Sequence, residues 1–185
     1  MSELLSVVVP VYNEAPVLQA FHRQISEVME ATGSRYELLY VDDGSSDDSA
    51  GLLQQIREGD ERVAVIELSR NFGKEIAVSA GLDHASGDAV IIIDADLQDP
   101  PELIHEFLQE WRNGYDVVYG QRTAREGESR TKISTARWFY RTINYLSDVE
   151  IPRDAGDFRL LSRRAVDALT SLPERRRYMK GLYAW

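Results

Sequence analysis

Cysteine is absent from the 185 residues. That excludes disulfides and thiolate metal sites and leaves a reducing compartment compatible. No run of about 18 apolar residues occurs, so the chain is not expected to span a membrane by itself. No basic and apolar leader opens it, so no signal peptide is expected. Basic residues are scarce along most of the length: residues 1–121 hold 7 Lys/Arg against 23 Asp/Glu, whereas residues 122–185 hold 14 against 8. So large an acidic part repels nucleic acid, and no nucleic-acid partner is expected. The basic third reads either as solvated helices or as a surface that meets anions, phosphates or anionic lipid head groups. With 43% hydrophobic and 28% charged residues the composition is globular, and the length suits one domain with a sizeable core.

Apolar runs alternate with helical spacing. Leu4 to Val11, Tyr36 to Val41, Val63 to Leu68, Ala89 to Ile93 and Asp116 to Tyr119 read as strands. Between them, helices are expected from Ala15 to Thr32, around Leu52, Leu53 and Ile56, from Ser69 onward with Ile76, Ala77, Ala80 and Leu82 inward, and from Pro100-Pro101 with Leu103, Ile104, Phe107, Leu108 and Trp111 as its stripe. His84 reads as a helix-end residue. Strand and helix in alternation predict an α/β fold with a mainly parallel central sheet flanked by helices. Right-handed crossovers would then bring three acidic loops to one sheet edge: Glu14, Asp42-Asp43 and Asp94/Asp96.

After Gly120 the pattern changes. Gln121 to Arg130 is polar and charged, and Lys132 to Leu146 reads as a helix in which Trp138, Phe139, Tyr140 and Tyr145 interleave with Lys132, Arg137 and Arg141. It is either an ordinary helix on the sheet or an interfacial one with aromatics at head-group level. Gly156 to Leu161 reads as a short strand and Arg163 to Leu169 as a helix. The aromatic ending Tyr178–Trp185 suggests a chain cut short.

The most informative stretch is Asp94-Ala95-Asp96-Leu97-Gln98-Asp99-Pro100, which follows the apolar run Ala89–Ile93. Two carboxylates at the carboxyl end of a buried strand form a hard-oxygen site for Mg²⁺ or Mn²⁺. In open α/β sheets ligands bind at that edge. An isolated Asp-x-Asp is also compatible with a solvated turn that caps the next helix.

Val8-Val9-Pro10-Val11-Tyr12-Asn13-Glu14, Val41-Asp42-Asp43-Gly44-Ser45 and Asp94-Ala95-Asp96-Leu97-Gln98 occur in that order. They resemble glycosyltransferase family 2, the inverting nucleotide-sugar transferases. Arg70-Asn71-Phe72-Gly73-Lys74-Glu75 and Ala155-Gly156-Asp157-Phe158-Arg159-Leu160 narrow the resemblance to the polyprenyl-phosphate glycosyltransferases, which include dolichol-phosphate mannose synthases and bacterial undecaprenyl-phosphate glucosyltransferases. The resemblance covers essentially the whole chain. It implies a single catalytic domain of the GT-A fold, with residues 1–121 as the nucleotide-sugar and metal part and 122–185 as the acceptor and membrane-facing part. Bacterial members carry C-terminal transmembrane helices that this chain lacks. A full-length protein at the cytoplasmic face of the plasma membrane is therefore expected, and a homo-oligomer joined through the missing segment is compatible.

By the same resemblance, Pro10, Tyr12, Glu14 and Asp42 would hold the donor's base and ribose, with Asp43 and Lys74 near them. Asp94, Asp96 and Gln98 would hold the metal, Mg²⁺ or Mn²⁺, on the diphosphate. Arg122 and Lys132 would face the acceptor phosphate, and Asp157 would sit by the reacting centre. The implied reaction is inverting transfer of a hexose, with UDP-glucose the favoured donor, to polyprenyl phosphate at a membrane surface. The other family reading is a soluble transferase acting on a glycan hydroxyl. Outside the family, Asp42-Asp43 and Lys74 fit a phospho-acceptor receiver domain, although the Asp94/Asp96 pair does not. A phosphate monoester has a second pKa of about 6 and needs no strong base, so Asp157 is expected to orient, gripping Arg159 or the sugar, rather than to deprotonate. Lys74 and Arg70 are expected to help neutralise the leaving diphosphate.

Overall fold

The structure, a computed structural model, describes residues 3–121 and 155–172. Their order is β1 (Leu4–Val11), α1 (Leu18–Ala31), β2 (Arg35–Asp42), α2 (Ser49–Gly59), β3 (Val63–Glu67), α3 (Lys74–His84), β4 (Ala89–Ile92), a 3-10 turn (Pro101–Leu103), α4 (Ile104–Arg112), β5 (Val117–Gln121), β6 (Ala155–Ser162) and α5 (Arg163–Thr170). The described strands form one sheet in the order β3-β2-β1-β4-β6-β5. β3, β2, β1 and β4 pair in parallel, while β6 runs antiparallel to both β4 and β5. The expectation of a mainly parallel sheet thus holds, with one reversed strand inside it.

Helices cover both faces, which is why β1, β2 and β4 read as unbroken apolar runs rather than alternating ones. Leu5, Val7, Val9 and Val11 of β1 face a core shared with α1, α2 and α4, through Phe21, Ile25, Leu53, Ile104 and Phe107. Val8 faces the other core, with Leu39, Val41, Ile92 and the α3 and α5 residues Ala77, Val78, Leu82, Val166 and Leu169. No described helix is long and apolar enough to cross a membrane.

The starts of α1 and α3 differ from the sequence expectation, as does the inward face of α3. α1 starts at Leu18 rather than Ala15, because the N–H groups of Val17 and Leu18 both donate to the Glu14 carbonyl and make residues 15–17 a turn. α3 starts at Lys74 rather than Ser69, since Gly73 at φ 99° cannot belong to a helix. Its inward face also differs in phase. Ala77 and Leu82 are buried as expected, but Ile76 and Ala80 are half-buried, while Val78, Ser79 and Gly81 are buried in their place. Small residues let this helix lie hard on the sheet: a Cβ on Gly81 would sit 2.3 Å from Val8 Cγ1. Closeness to β1 fixes the height at which the N-terminus of α3 meets the sheet edge.

One polar side chain is buried in the middle of β1. Ser6 is 0% exposed; its hydroxyl donates to Glu37 Oε1 (2.6 Å) and accepts the Gly87 N–H (2.8 Å). Glu37 Oε1 also accepts the N–H and hydroxyl of Ser86, both at 2.8 Å. The network ties the turn before β4 to β1 and β2. Ser6→Ala strands the Gly87 N–H, a loss of about 1–3 kcal/mol for an unpaired buried donor. The urea midpoint should fall at unchanged m-value.

Candidate functional site

β1 pairs with β2 on one side and β4 on the other. The chain leaves β1 toward β2 and β3, then returns to add β4 on the opposite flank. That is a topological switch point, where the outgoing loops diverge and leave a crevice. A cleft of about 230 Å³ opens there, lined by residues from three strand ends and the start of α3, among them Pro10, Tyr12, Glu14, Asp43, Lys74, Asp94 and Asp96.

Polar side chains stitch the walls together. Asn13 takes a left-handed conformation (φ 57°), and its Oδ1 accepts the N–H groups of Ser46 (2.8 Å) and Asp47 (3.3 Å). In return the Ser45 hydroxyl accepts the Asn13 N–H at 2.9 Å, and the Ser49 hydroxyl accepts the Glu14 N–H at 3.0 Å. The loop after β1 is thereby pinned to the loop after β2. The next junction is made by Asp43, whose two oxygens accept the N–H groups of Phe72 (2.7 Å) and Gly73 (2.8 Å). Gly44 lies against the same segment: a Cβ there would meet the Arg70 carbonyl carbon at 2.4 Å. Residues 70–73 are thus clamped immediately before Lys74.

Lys74 is the hub. Its ammonium donates to Asp94 Oδ2 and to Asp157 Oδ2, both at 2.6 Å. Asp157 reaches this point because β6 runs back beside β4: Arg159 lies opposite Ile92, so Asp157 falls beyond the end of β4, next to Asp94. Burial works against the charge on Lys74, but its hydrogen bonds to Asp157 and Asp94 outweigh that and raise its pKa above the ordinary lysine value. Asp94 is pushed up, chiefly by burial and further by Asp157 and Asp96, against the opposing pull of Lys74. Glu14 is also raised, by burial and then by Asp96 and Asp94. Among the described residues, one ammonium therefore serves a cleft rimmed by Glu14, Asp94, Asp96 and Asp157. Neighbouring carboxylates thus help raise both Glu14 and Asp94, as where negative charge gathers without enough positive charge beside it.

That shortage fits a hard divalent cation. Among the described residues no group of three or more His, Cys, Asp or Glu is arranged to hold a metal. Mg²⁺-type sites of this class use one or two carboxylates and complete their shell with substrate phosphate and water. Asp94 and Asp96 would supply such a pair. The Asp96 Oδ1 accepts the Gln98 N–H at 3.0 Å, across a turn in which Leu97 sits at φ 60°.

The structure brings together Pro10, Tyr12, Glu14, Asp43, Lys74, Asp94 and Asp96 on the cleft wall, with Asp157 joined to them through Lys74. Asp42 is placed differently from the expectation. Only 4% exposed, it accepts the Ser45 N–H and hydroxyl and braces the loop from beneath. Gln98 is exposed and touches the pair through its backbone. Lys74 lines the same cleft as Pro10, Tyr12 and Glu14 and lies between Asp94 and Asp157. The Asp157 carboxylate meets Lys74, while the Arg159 guanidinium donates to the Gly156 carbonyl at 2.7 Å. Arg70 stacks over the Phe72 ring at 4.7 Å. His84 is the last residue of α3, with Nδ1 2.8 Å from the Ala80 carbonyl. Asn13, Ser45 and Asn71 fall within the quoted motifs but were not singled out as site residues, and Ser49 lies outside those motifs; turn chemistry after each strand was a further clue. Arg122, Lys132 and the expected basic-aromatic helix lie outside the described residues.

The family described as "Glycosyl transferase family 2" matches residues 6–170. An uncharacterised glycosyltransferase of Synechocystis sp. is 49% identical over 98% of this chain and 57% of its own length. A bactoprenol glucosyl transferase of Shigella phage SfV is 42% identical over 98% of this chain and 59% of its own. The chain therefore spans somewhat over half the length of these relatives. Among solved structures, a glucosyl-3-phosphoglycerate synthase of Mycobacterium tuberculosis, in complex with Mn²⁺, UDP-glucose and phosphoglyceric acid, aligns with TM-score 0.65 at 24% identity, over 98% of this chain and 68% of that one. A mannosyltransferase of Pyrobaculum calidifontis, in complex with GDP-mannose and Mn²⁺, aligns with TM-score 0.64 at 22% identity, over 94% and 48%. The fold is of the GT-A type expected from the sequence.

Proposed function

The chain belongs to glycosyl transferase family 2, and from that premise we propose that it is the catalytic part of an inverting hexosyltransferase moving glucose from UDP-glucose to the phosphate of a polyprenyl phosphate. The observation that carries this reading is the acid-lined cleft at the β1/β4 switch point, in a chain that a bactoprenol glucosyl transferase matches over 98% of its residues. A receiver domain is not compatible with that family.

Pro10, Tyr12, Glu14 and Asp43 bind and orient the nucleoside end of the donor. Asp94 and Asp96 would hold Mg²⁺ or Mn²⁺, which when bound supplies positive charge to the leaving diphosphate. Inversion requires attack on the anomeric carbon from the face opposite that group. The acceptor phosphate is largely ionised near pH 7, so the nucleophile surrenders no proton. Asp157, fixed by Lys74, orients the reacting centre and keeps its place beside Asp94 without acting as a base. Arg122 and Lys132 draw the acceptor's phosphate toward a cleft whose own walls are acidic. The lipid acceptor brings the protein to a membrane surface, at its cytoplasmic face.

The test is transfer of radiolabel from UDP-glucose to undecaprenyl phosphate in detergent micelles with Mn²⁺. Label should enter the organic phase and be released by mild acid. Chelation should lower the rate by about 100-fold or more, the size of a lost metal contribution of several kcal/mol, with recovery on adding Mn²⁺. Label found only on a glycan hydroxyl, or no turnover of UDP-glucose, would overturn the proposal.

A further inference from the structure

We propose that Lys74 is a stand-in cation: it occupies Asp94 and Asp157 in the donor-free cleft and yields Asp94 only when a divalent metal arrives with the donor's diphosphate. The inference rests on the reading of Asp94 and Asp96 as the metal pair.

The Lys74 ammonium sits 2.6 Å from one oxygen of Asp94 and 2.6 Å from one of Asp157. It consumes a donor oxygen that a metal would use, and it places a positive charge beside the metal position. Both effects oppose a free divalent ion. The opposition is built in rather than adventitious. Asp43 clamps the N–H groups of Phe72 and Gly73, Gly44 seats the 70–73 segment, and Gly81 holds α3 against Val8, so the stem of Lys74 starts from a fixed point. Its side chain is 39% exposed, against 26% for Asp94 and 37% for Asp157, so none of the three is fully enclosed. A metal–diphosphate complex changes the balance. The diphosphate adds negative charge beside both cations, so the metal takes Asp94 while Lys74 keeps Asp157 and gains a phosphate oxygen as its second partner. Metal and nucleotide should therefore bind as strongly coupled ligands, and each should raise the other's affinity by the same factor. An empty cleft keeps Asp94 and Asp157 paired to Lys74 without capturing free metal.

Mn²⁺ binding to the 185-residue chain, followed by the electron paramagnetic resonance signal of free Mn²⁺ with and without UDP, tests this without any turnover. Wild type should bind Mn²⁺ weakly alone and about tenfold or more tightly with saturating UDP. Lys74→Met removes the competing charge, so affinity for Mn²⁺ alone should rise by about tenfold, as expected for deleting a unit charge a few ångströms from the site, and the gain from UDP should shrink. Lys74→Arg keeps the charge and should keep weak metal-only binding; melting curves of all three proteins establish that each is folded. Mn²⁺-only affinity unchanged or weakened in folded Lys74→Met overturns the inference while leaving the proposed function standing. Failure of wild type to bind Mn²⁺ even with UDP removes the metal reading and this inference with it. If Lys74→Met does not fold, Lys74→Gln takes its place under the same criteria.

Discussion

Asp96→Asn lowers lipid-linked glucose transfer by about 1,000-fold or more while the melting temperature stays close to that of wild type. A thousandfold loss corresponds to about 4 kcal/mol of transition-state stabilisation, the scale on which a single electrostatic partner of developing charge contributes. An amide keeps the local structure, because it can still accept the Gln98 N–H that Asp96 Oδ1 now accepts. What it lacks is the negative charge that pairs with a divalent ion. Asp157→Asn should be milder, about 10- to 100-fold, because its remaining carbonyl oxygen can still receive Lys74 and the acceptor needs no base. Single-turnover rates alongside UDP-glucose binding separate the two roles. Equal abolition in both variants with donor binding intact would make Asp157 the base and remove the argument that an ionised phosphate attacks unaided.

The second large effect is on folding. Gly44→Ala should cost more than about 3 kcal/mol, well beyond an ordinary surface change. Two penalties combine. The position has φ 67°, which costs an L-residue about 1–2 kcal/mol. In addition, the new Cβ would lie 2.4 Å from the Arg70 carbonyl carbon, 2.7 Å from Arg70 Cα and 2.8 Å from the Asn71 nitrogen, all backbone atoms that no rotamer change can move aside. Gly33→Ala is the matched control. It has nearly the same φ, 69°, with nothing within 4 Å of the added carbon, so it should show the conformational penalty alone. Denaturant unfolding of the pair isolates the steric part by difference. Because the displaced segment leads into Lys74, Gly44→Ala should also weaken UDP binding, whereas Gly33→Ala should leave it unchanged. Equal stability losses in the two variants would mean that the 70–73 segment yields without resistance.

The strands were legible because burial on both faces writes itself as continuous Val, Ile and Leu. The acidic loops were legible because they follow those strands directly. Two things were not. Asp42 and Asp43 are adjacent, and strand alternation sends one to each face. Residues 38 and 40 face the α1 side and 39 and 41 the α3 side, so continuing the alternation turns Asp43 toward α3. That phase can be used only once it is known which helix covers which face. The Lys74–Asp157 pair, 83 residues apart, depends on β6 entering antiparallel beside β4, and no local periodicity encodes the neighbour of a strand. The motif around Asp157 was recognisable by resemblance; its partner was not. Arg159 or the sugar was expected beside it; the Arg159 guanidinium donates to the backbone carbonyls of Gly156 and of Asp157 itself.

The insertion of β6 between β4 and β5 also bears on how the chain comes to be folded. As residues 1–121 emerge from synthesis they can assemble β3-β2-β1-β4, but the free edge of β4 is hydrophobic and β5, among the described strands, pairs with β6 alone. Until β6 arrives, that edge is open to pairing with another chain, and its closure waits on a contact of long sequence separation, the kind that forms slowly. Completion of the sheet and delivery of Asp157 to Lys74 are then one event. Among the described residues, Asp157 joins the cleft only as the edge of β4 is sealed.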